Sequence, residues 1–445
     1  MIVDLLREYL PKQRWYAGDT APSEVTVVAQ EILRDGSPAM IALLVDADGA
    51  WYQVVVGQRP VGDRPDFLRG RDGAVVGELD DQLIYDAVVD PELGMVLLAL
   101  AGGSDEPVER VRAVGGEQSN NSLIYDDRLI LKVFRRVHPG RNLDIEVTLA
   151  LSGAGFDHVA RPMGVLTRSL GGVDFDLAVL QPFLAGAVDG WALALTSLRD
   201  LFGVSDTQPV PIITEDMLQA PAMAVDPADA GGDFAAEARR LGVITAEMHV
   251  GLEKAFGQEP GDGSAWAAEL ERSVDKLHEG GFDEGALRGL LAALRALGDV
   301  GPAIRLHGDY HLGQVLRTDA GWYVLDFEGE PDRPPVERRR RSSPLRDVAG
   351  MLRSLQYASA VALFERDEDC RALSQKWEAR NREAFLEGYL PTAADAGLLP
   401  DPAATQVILH AFELEKAMYE LEYERGHRPD WQSIPMAALH RMAAG

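Results

Sequence analysis

The spacing of apolar residues changes character along this chain. From Glu24 to Leu33 and from Met40 to Gly57, Val, Ile, Tyr and Trp dominate, and Asp35-Gly36-Ser37-Pro38 and Asp46-Ala47-Asp48-Gly49 punctuate them, which predicts antiparallel strands. Leu5–Leu10 predicts a short helix stopped by Pro11, and Asp80–Asp90 predicts a second helix. After Gly102-Gly103-Ser104-Asp105, strands are expected at Val108–Val114, Leu123–Tyr125, Leu129–Phe134 and Ala178–Phe183, with a helix at Asn142–Leu151. A Pro/Asp/Ala-rich stretch from Val204 to Gly232 predicts a long loop. Beyond it the period is helical: Phe234–Leu252, Ser264–His278, Asp283–Leu297, Asp347–Phe364, Leu373–Tyr389 and Ala404–Arg425. The fold class expected is α+β, with a β-rich segment over 1–94, a second β-rich segment over 95–185 and a mostly helical remainder over 186–445.

Composition narrows the partners. With 445 residues and 46 % hydrophobic content, two or three units with cores of their own fit. The formal net charge is −28, from 43 basic and 71 acidic side chains. Such a field repels nucleic acid and anionic membranes, so neither is an expected partner. It repels nucleotides too, so a nucleotide site here needs its own local cations. Cys370 is the only cysteine, which rules out an internal disulfide and fits a reducing, cytoplasmic compartment. Met1–Gly18 mixes charges throughout, so no signal peptide is expected. The closest approach to a membrane span, Leu177–Leu198, is interrupted by Gln181, Pro182 and Asp189.

The chemistry concentrates in Arg305-Leu306-His307-Gly308-Asp309-Tyr310-His311-Leu312-Gly313-Gln314 and in Asp326-Phe327-Glu328-Gly329-Glu330-Pro331. A kinase catalytic loop carries His-x-Asp, then four residues, then an amide, with a metal-holding acid downstream. Asp309, Gln314 and Asp326 keep that order and interval. Asp309 is therefore the candidate base for a substrate hydroxyl. Gln314 and Asp326 are candidate Mg²⁺ ligands, since that ion takes hard oxygen donors and keeps water. Glu328 is either a further ligand or an acid behind the ligands. His307 orients the loop, and His311 lines the substrate mouth. A lone aspartate in a loop is more often a helix cap; the shared spacing is what favours chemistry.

Upstream, Lys132 sits inside an apolar strand and needs a partner. Glu146, fourteen residues on and on a helix, is the expected one. The pair is either a structural salt bridge or the clamp that sets a lysine against ATP phosphates. Gly115–Ser122 joins two strands; Gly116, Ser119 and Asn120 are candidate phosphate contacts, and taken alone the segment is a hairpin loop. Strand, turn, strand, strand with lysine, helix with glutamate, strand is the order of a kinase small lobe, with the hinge at Pro182 and Gln181 and Phe183 beside the nucleotide. On the last long helix Glu413, Lys416 or Tyr419, Glu420 and Tyr423 recur at helical spacing. The plainer reading is a solvated, charge-laced face; the sharper is an acceptor pocket with Tyr419 and Trp431 as flat surfaces for a sugar ring. Arg338–Arg341 reads as a solvated basic loop.

These strings, together with Gln13-Arg14-Trp15-Tyr16-Ala17-Gly18 near the start, Ser343–Arg353, and Glu415–Trp431, resemble the actinobacterial maltokinases and glucosamine kinases of the aminoglycoside-phosphotransferase-like group. The resemblance implies a bilobal protein-kinase-like fold with an N-terminal cap subdomain, and ATP- and Mg²⁺-dependent phosphorylation of a sugar. Carried over, Asp309 is the base, Gln314 and Asp326 bind metal, and Lys132, paired with Glu146, binds phosphate. The acid-rich Glu413–Glu424 face favours glucosamine, giving glucosamine 6-phosphate. Maltose giving maltose 1-phosphate, an aminoglycoside acceptor, and a catalytically inactive binding protein are the alternatives.

Overall fold

The computed structural model describes residues 1–443 other than 19, 64, 115–119, 208–226, 229–231, 276–283, 331–332, 365 and 367–369. The described residues divide into two compact units, 1–149 with 160–185, and 150–159 with 186–445.

The first unit opens with helix α1 (Ile2–Tyr9), followed by strands β1 (Val25–Arg34), β2 (Ala39–Ala47), β3 (Ala50–Pro60), β4 (Val75–Leu79) and β5 (Gln82–Asp86), which form an antiparallel sheet in the order β1-β2-β3-β5-β4. The helix expected over Asp80–Asp90 is thus a strand and a short turn. Asp80 and Asp81 both take positive φ and close the tight β4–β5 hairpin. Leu83 to Asp86 are all buried because each face of the sheet has a core: Ile84 packs beside Leu6, Tyr9 and Trp15, whereas Leu83 and Tyr85 face the opposite side. A strand buried on both faces loses its polar alternation, so periodicity alone does not tell it from a helix.

Helix α2 (Pro91–Leu100), capped by the Asp90 side chain, was not expected; a boundary at residue 94 falls inside it. The second sheet has the order β6-β7-β8-β10-β9, from β6 (Val111–Ala113), β7 (Asn121–Tyr125), β8 (Leu129–Val133), β9 (Gly164–Leu170) and β10 (Val173–Pro182), with helix α3 (Leu143–Ala154) between β8 and β9. One core joins the two sheets, with Met40, Leu44 and Val55 packed with Leu123, Leu131 and Leu177. Backbone bonds tie them as well: the Gln53 amide donates to the Arg135 carbonyl (2.8 Å), and the Val137 amide to Trp51 (2.9 Å).

The second unit carries β11 (Val188–Asp189), helices α4 (Gly190–Thr207) and α5 (Ala235–Phe256), β12 (Gln258–Pro260), helices α6 (Gly263–Val274) and α7 (Glu284–Ala296), β13 (Pro302–Ile304), and the hairpin β14 (Val315–Thr318) with β15 (Gly321–Val324). Helices α8 (Pro335–Arg338), α9 (Leu345–Val361), α10 (Arg371–Asp395), α11 (Pro402–His427) and α12 (Ser433–Ala443) complete it. The long loop expected at Val204–Gly232 lies mostly outside the described residues. Helices α5 and α10 touch backbone to backbone: a Cβ on Gly242 would sit 2.1 Å from the Phe385 carbonyl oxygen, and one on Gly388 2.1 Å from that of Arg239. Among the described residues no helix is long and apolar enough to cross a membrane.

Candidate active site

The segment from Arg305 to His311 has no ladder of its own, so its backbone must be satisfied from elsewhere. Asp347, near the start of α9 and 2 % exposed, supplies that. Its carboxylate accepts from the amides of His307 (2.9 Å) and Gly308 (3.0 Å) and from His249 Nε2 (3.2 Å). Burial pushes the Asp347 carboxyl up, but the hydrogen bond from His249, with His307 and the Gly308 amide, holds it below its usual value. With its Nε2 proton on Asp347, His249 leaves Nδ1 to accept from the Tyr389 hydroxyl (3.0 Å). Gly308 has φ +87, and a Cβ there would meet the Gly329 Cα at 3.4 Å, so the loop lies close against the Asp326–Glu330 segment.

His307 holds the loop with both ring nitrogens. Nε2 bonds the Leu325 carbonyl (2.8 Å), Nδ1 accepts from the Asp309 amide (3.3 Å), and the ring packs on Phe327 at 4.7 Å. Gln314 Nε2 donates to Asp326 Oδ2 at 3.3 Å, which brings the two candidate metal ligands together. Asp326 has φ +63, a left-handed conformation that aspartate adopts more readily than most non-glycine residues and that Asp80 and Asp81 also take in the β4–β5 turn. The Glu328 carbonyl accepts from Arg338, and one carboxylate oxygen of Glu328 is shielded from solvent.

Asp309 faces a lysine from α11. Lys416 Nζ lies 3.2 Å from Asp309 Oδ1 and 3.3 Å from Glu330 Oε1, and over the Tyr419 ring at 4.7 Å. His311 Nε2 is 3.8 Å from Asp309 Oδ2. Burial pushes the Asp309 carboxyl up, yet the Lys416 ammonium, with the His311 and His307 rings, holds it below its usual value. Burial pushes the His311 ring down, which favours its neutral form. Asp309, Glu330, Lys416 and Tyr419 line a cavity of about 120 Å³, with Trp266, Glu269, Arg333, Arg346, Phe412 and Glu415 among the other walls. Arg333 bonds Glu330 (2.6 Å), and Arg346 bonds Glu415 (2.7 Å) while stacking on Phe412. Burial pushes the Glu415 carboxyl up.

Glu413, Glu420, Trp431 and His311, expected at the acceptor, do not line this cavity, although His311 lies beside Asp309. The α11 face that does so is Phe412, Glu415, Lys416 and Tyr419, at i, i+3, i+4 and i+7. Glu413 turns to Arg382 of α10 (2.6 Å), and Glu420 to Arg353 of α9 (3.0 Å). Trp431 lies under Arg428 and meets Phe364 edge to face. Glu330, Glu415, Arg333 and Asp347 were not assigned a role from the sequence. The signal for Glu330 and Glu415 was their position beside residues already singled out, in the Asp-Phe-Glu-Gly-Glu-Pro string and on α11.

In the first unit, the ion pair shown for Lys132 is with Asp144 (3.4 Å), two residues before the expected Glu146 in the first turn of α3. Gly116 and Ser119 lie outside the described residues; Asn120 is buried and accepts from the Arg135 amide (3.2 Å). Gln181 donates to the Ala160 carbonyl (2.7 Å), and the Phe183 ring lies under Arg112.

Residues 9–90 match the maltokinase N-terminal cap domain, and residues 110–380, more than half of the chain, match the phosphotransferase enzyme family. The glucosamine kinase of Streptacidiphilus jiangxiensis is 29 % identical over 367 residues, which is 78 % of this chain and 76 % of that protein. That of Mycolicibacterium smegmatis is 28 % identical over 340 residues, 74 % of this chain and 78 % of that protein. Among solved structures, a glucosamine kinase (crystal form B) is 25 % identical with a TM-score of 0.66, covering 100 % of this chain and 99 % of that one. A glucosamine kinase in complex with glucosamine, ADP and inorganic phosphate shares the fold at 24 % identity and a TM-score of 0.64, covering 98 % of each chain. With its His-Gly-Asp loop anchored on Asp347 and Asp309 beside a walled cavity, this chain belongs to the phosphotransferase enzyme family and carries a maltokinase-type cap domain at its N-terminus.

Proposed function

We propose that this chain is an ATP- and Mg²⁺-dependent sugar kinase whose acceptor is glucosamine, phosphorylated to glucosamine 6-phosphate. The observation that carries the reading is the Asp309 carboxylate, kept ionised beside a cavity of monosaccharide scale, in a chain that matches glucosamine kinases over three quarters of its length. In the reaction the acceptor hydroxyl gives its proton to Asp309 as its oxygen bonds the γ-phosphorus, and the bond from that phosphorus to the bridging oxygen breaks, its electron pair leaving with ADP. Lys132, oriented by Asp144 and its helix, is the cation for the nucleotide phosphates. Gln314 and Asp326 fit Mg²⁺: both offer hard oxygen, they are already in contact, and a half-turn of the Gln314 amide presents its carbonyl oxygen where the amino group stands. The ion would neutralise phosphate charge there; Glu328 is the third candidate ligand.

An ammonium on the acceptor meets Glu269, Glu330 and Glu415 in the cavity, carboxylates that already share Arg333, Arg346 and Lys416. The amine therefore enters a charge-balanced network and exchanges with one of those cations. Maltose 1-phosphate synthesis is the second reading, favoured by the match of residues 9–90 to the maltokinase cap. A coupled ADP-release assay over glucosamine, maltose, glucose and kanamycin separates them. Turnover with glucosamine alone supports the proposal; turnover with maltose or kanamycin instead overturns the acceptor; none on any of the four overturns the kinase reading.

A further inference from the structure

We propose that Lys416 is a positioning residue for the base: by binding one carboxylate oxygen of Asp309 it assigns proton removal from the acceptor to the other. The inference rests on the kinase reading above and concerns how its base is aimed.

An ionised carboxylate has two equivalent oxygens, and rotation about its last bond exchanges them at little cost. Here they are made inequivalent. Oδ1 faces the Lys416 ammonium at 3.2 Å, whereas Oδ2 faces the His311 Nε2 edge at 3.8 Å, too long for a hydrogen bond. The lysine has little freedom to release Oδ1. Its ammonium has three donors: two are used by Asp309 and Glu330, and the cation lies over the Tyr419 face at 4.7 Å. Glu330 is itself held by Arg333 at 2.6 Å, and Arg333 reaches Glu269 of α6 at 3.5 Å. Helix α11, the segment after β15 and helix α6 thus fix one nitrogen.

Oδ2 is left with room for a hydroxyl. His311 Nδ1 accepts from the Gly313 amide at 3.0 Å, so the neutral ring carries its proton on Nε2, turned to the Oδ2 side. An acceptor oxygen there donates to Oδ2 and accepts from His311. A cation beside a base lowers its basicity, but phosphoryl transfer passes through a loose transition state with weak bonding to the attacking oxygen. Aim therefore counts for more than base strength, and a fixed geometry recovers what basicity loses.

The test is steady-state kinetics of wild type, Lys416→Ala and Glu330→Gln with glucosamine and ATP. Lys416→Ala is expected to lower kcat about tenfold or more, with the KM for ATP within about twofold of wild type. Added n-propylammonium, which fits the vacated stem, is expected to restore part of the loss in a saturable way, whereas tetramethylammonium, a cation with no N–H, does not. Glu330→Gln, which loosens the ammonium without removing it, should lower kcat by about threefold at unchanged ATP affinity, and decides the matter if Lys416→Ala does not fold. A kcat within about twofold of wild type in either variant overturns the inference, as does a loss that neither ammonium recovers or that both recover equally. If wild type itself turns over no glucosamine, the acceptor proposal has failed first, and the variants are compared on whichever sugar is a substrate.

Discussion

Asp347 is the carboxylate on which the His307–Asp309 loop hangs, and Asp347→Asn tests that with almost no change of shape. Oδ2 accepts from both the His307 amide and His249, and Oδ1 from the Gly308 amide. The less damaging orientation of an asparagine keeps its carbonyl at the Oδ2 position and turns its NH₂ against the Gly308 amide. One bond to a charged acceptor is then lost, worth about 1.5–3 kcal/mol, and the other two lose their charge assistance. The neutral side chain is easier to bury, which offsets part of this, leaving about 3 kcal/mol. At roughly 2–4 °C per kcal/mol for a unit of this size, Tm should fall by about 6–12 °C. Calorimetry at neutral pH measures it, with kcat from the ADP assay alongside. The sign of the pH dependence gives a second check. A carboxyl held below its usual value contributes stability above the ordinary carboxylate range and loses it as pH falls through the lowered value. The gap in Tm between variant and wild type should therefore narrow in acid. A variant within about 1 °C of wild type at neutral pH, with unchanged kcat, would refute the anchoring role.

Three further outcomes are expected. Asp309→Asn should lower kcat by about 10²–10⁴ with ATP binding intact; near-normal kcat would remove Asp309 as base. Lys132→Ala should weaken ATP binding about tenfold in a titration with the sugar KM unaffected, and an effect confined to the sugar would contradict its role. Trp431→Ala should leave the sugar KM within about twofold of wild type, because the ring packs under Arg428 and edge-on to Phe364. A clear rise in KM would return it to the acceptor.

What could be read along the chain was what is local. The six helices expected in the second unit all form, because each is long and strongly periodic: Ala404–Arg425 lies within Pro402–His427, and Leu373–Tyr389 within Arg371–Asp395. The interval from Asp309 to Gln314 and Asp326 was legible for the same reason, since one short loop and one hairpin separate them. What failed depends on neighbours distant in sequence. Asp80–Asp90 carries no mark of the second core that buries its other face. Charge alone does not say which side of α11 meets α9 and α10, so the sequence does not separate Glu413 and Glu420 from pocket residues, although Arg382 and Arg353 claim them. Asp347 reads as an ordinary first-turn acid, because its partners lie about 40 and about 100 residues away.

The apolar interior that runs from Met40, Leu44 and Val55 to Leu123, Leu131 and Leu177 ignores the point near residue 100 at which sequence comparison divides the chain. A segment that can be recognised separately is here not one that can be removed separately. Shortened versions beginning after α2 would present a bare greasy sheet to water and be recovered as aggregate rather than as a minimal enzyme. Grafting the leading segment onto an uncapped relative would demand a complementary surface prepared in advance, so the two stretches are to be exchanged, engineered or inherited as one block.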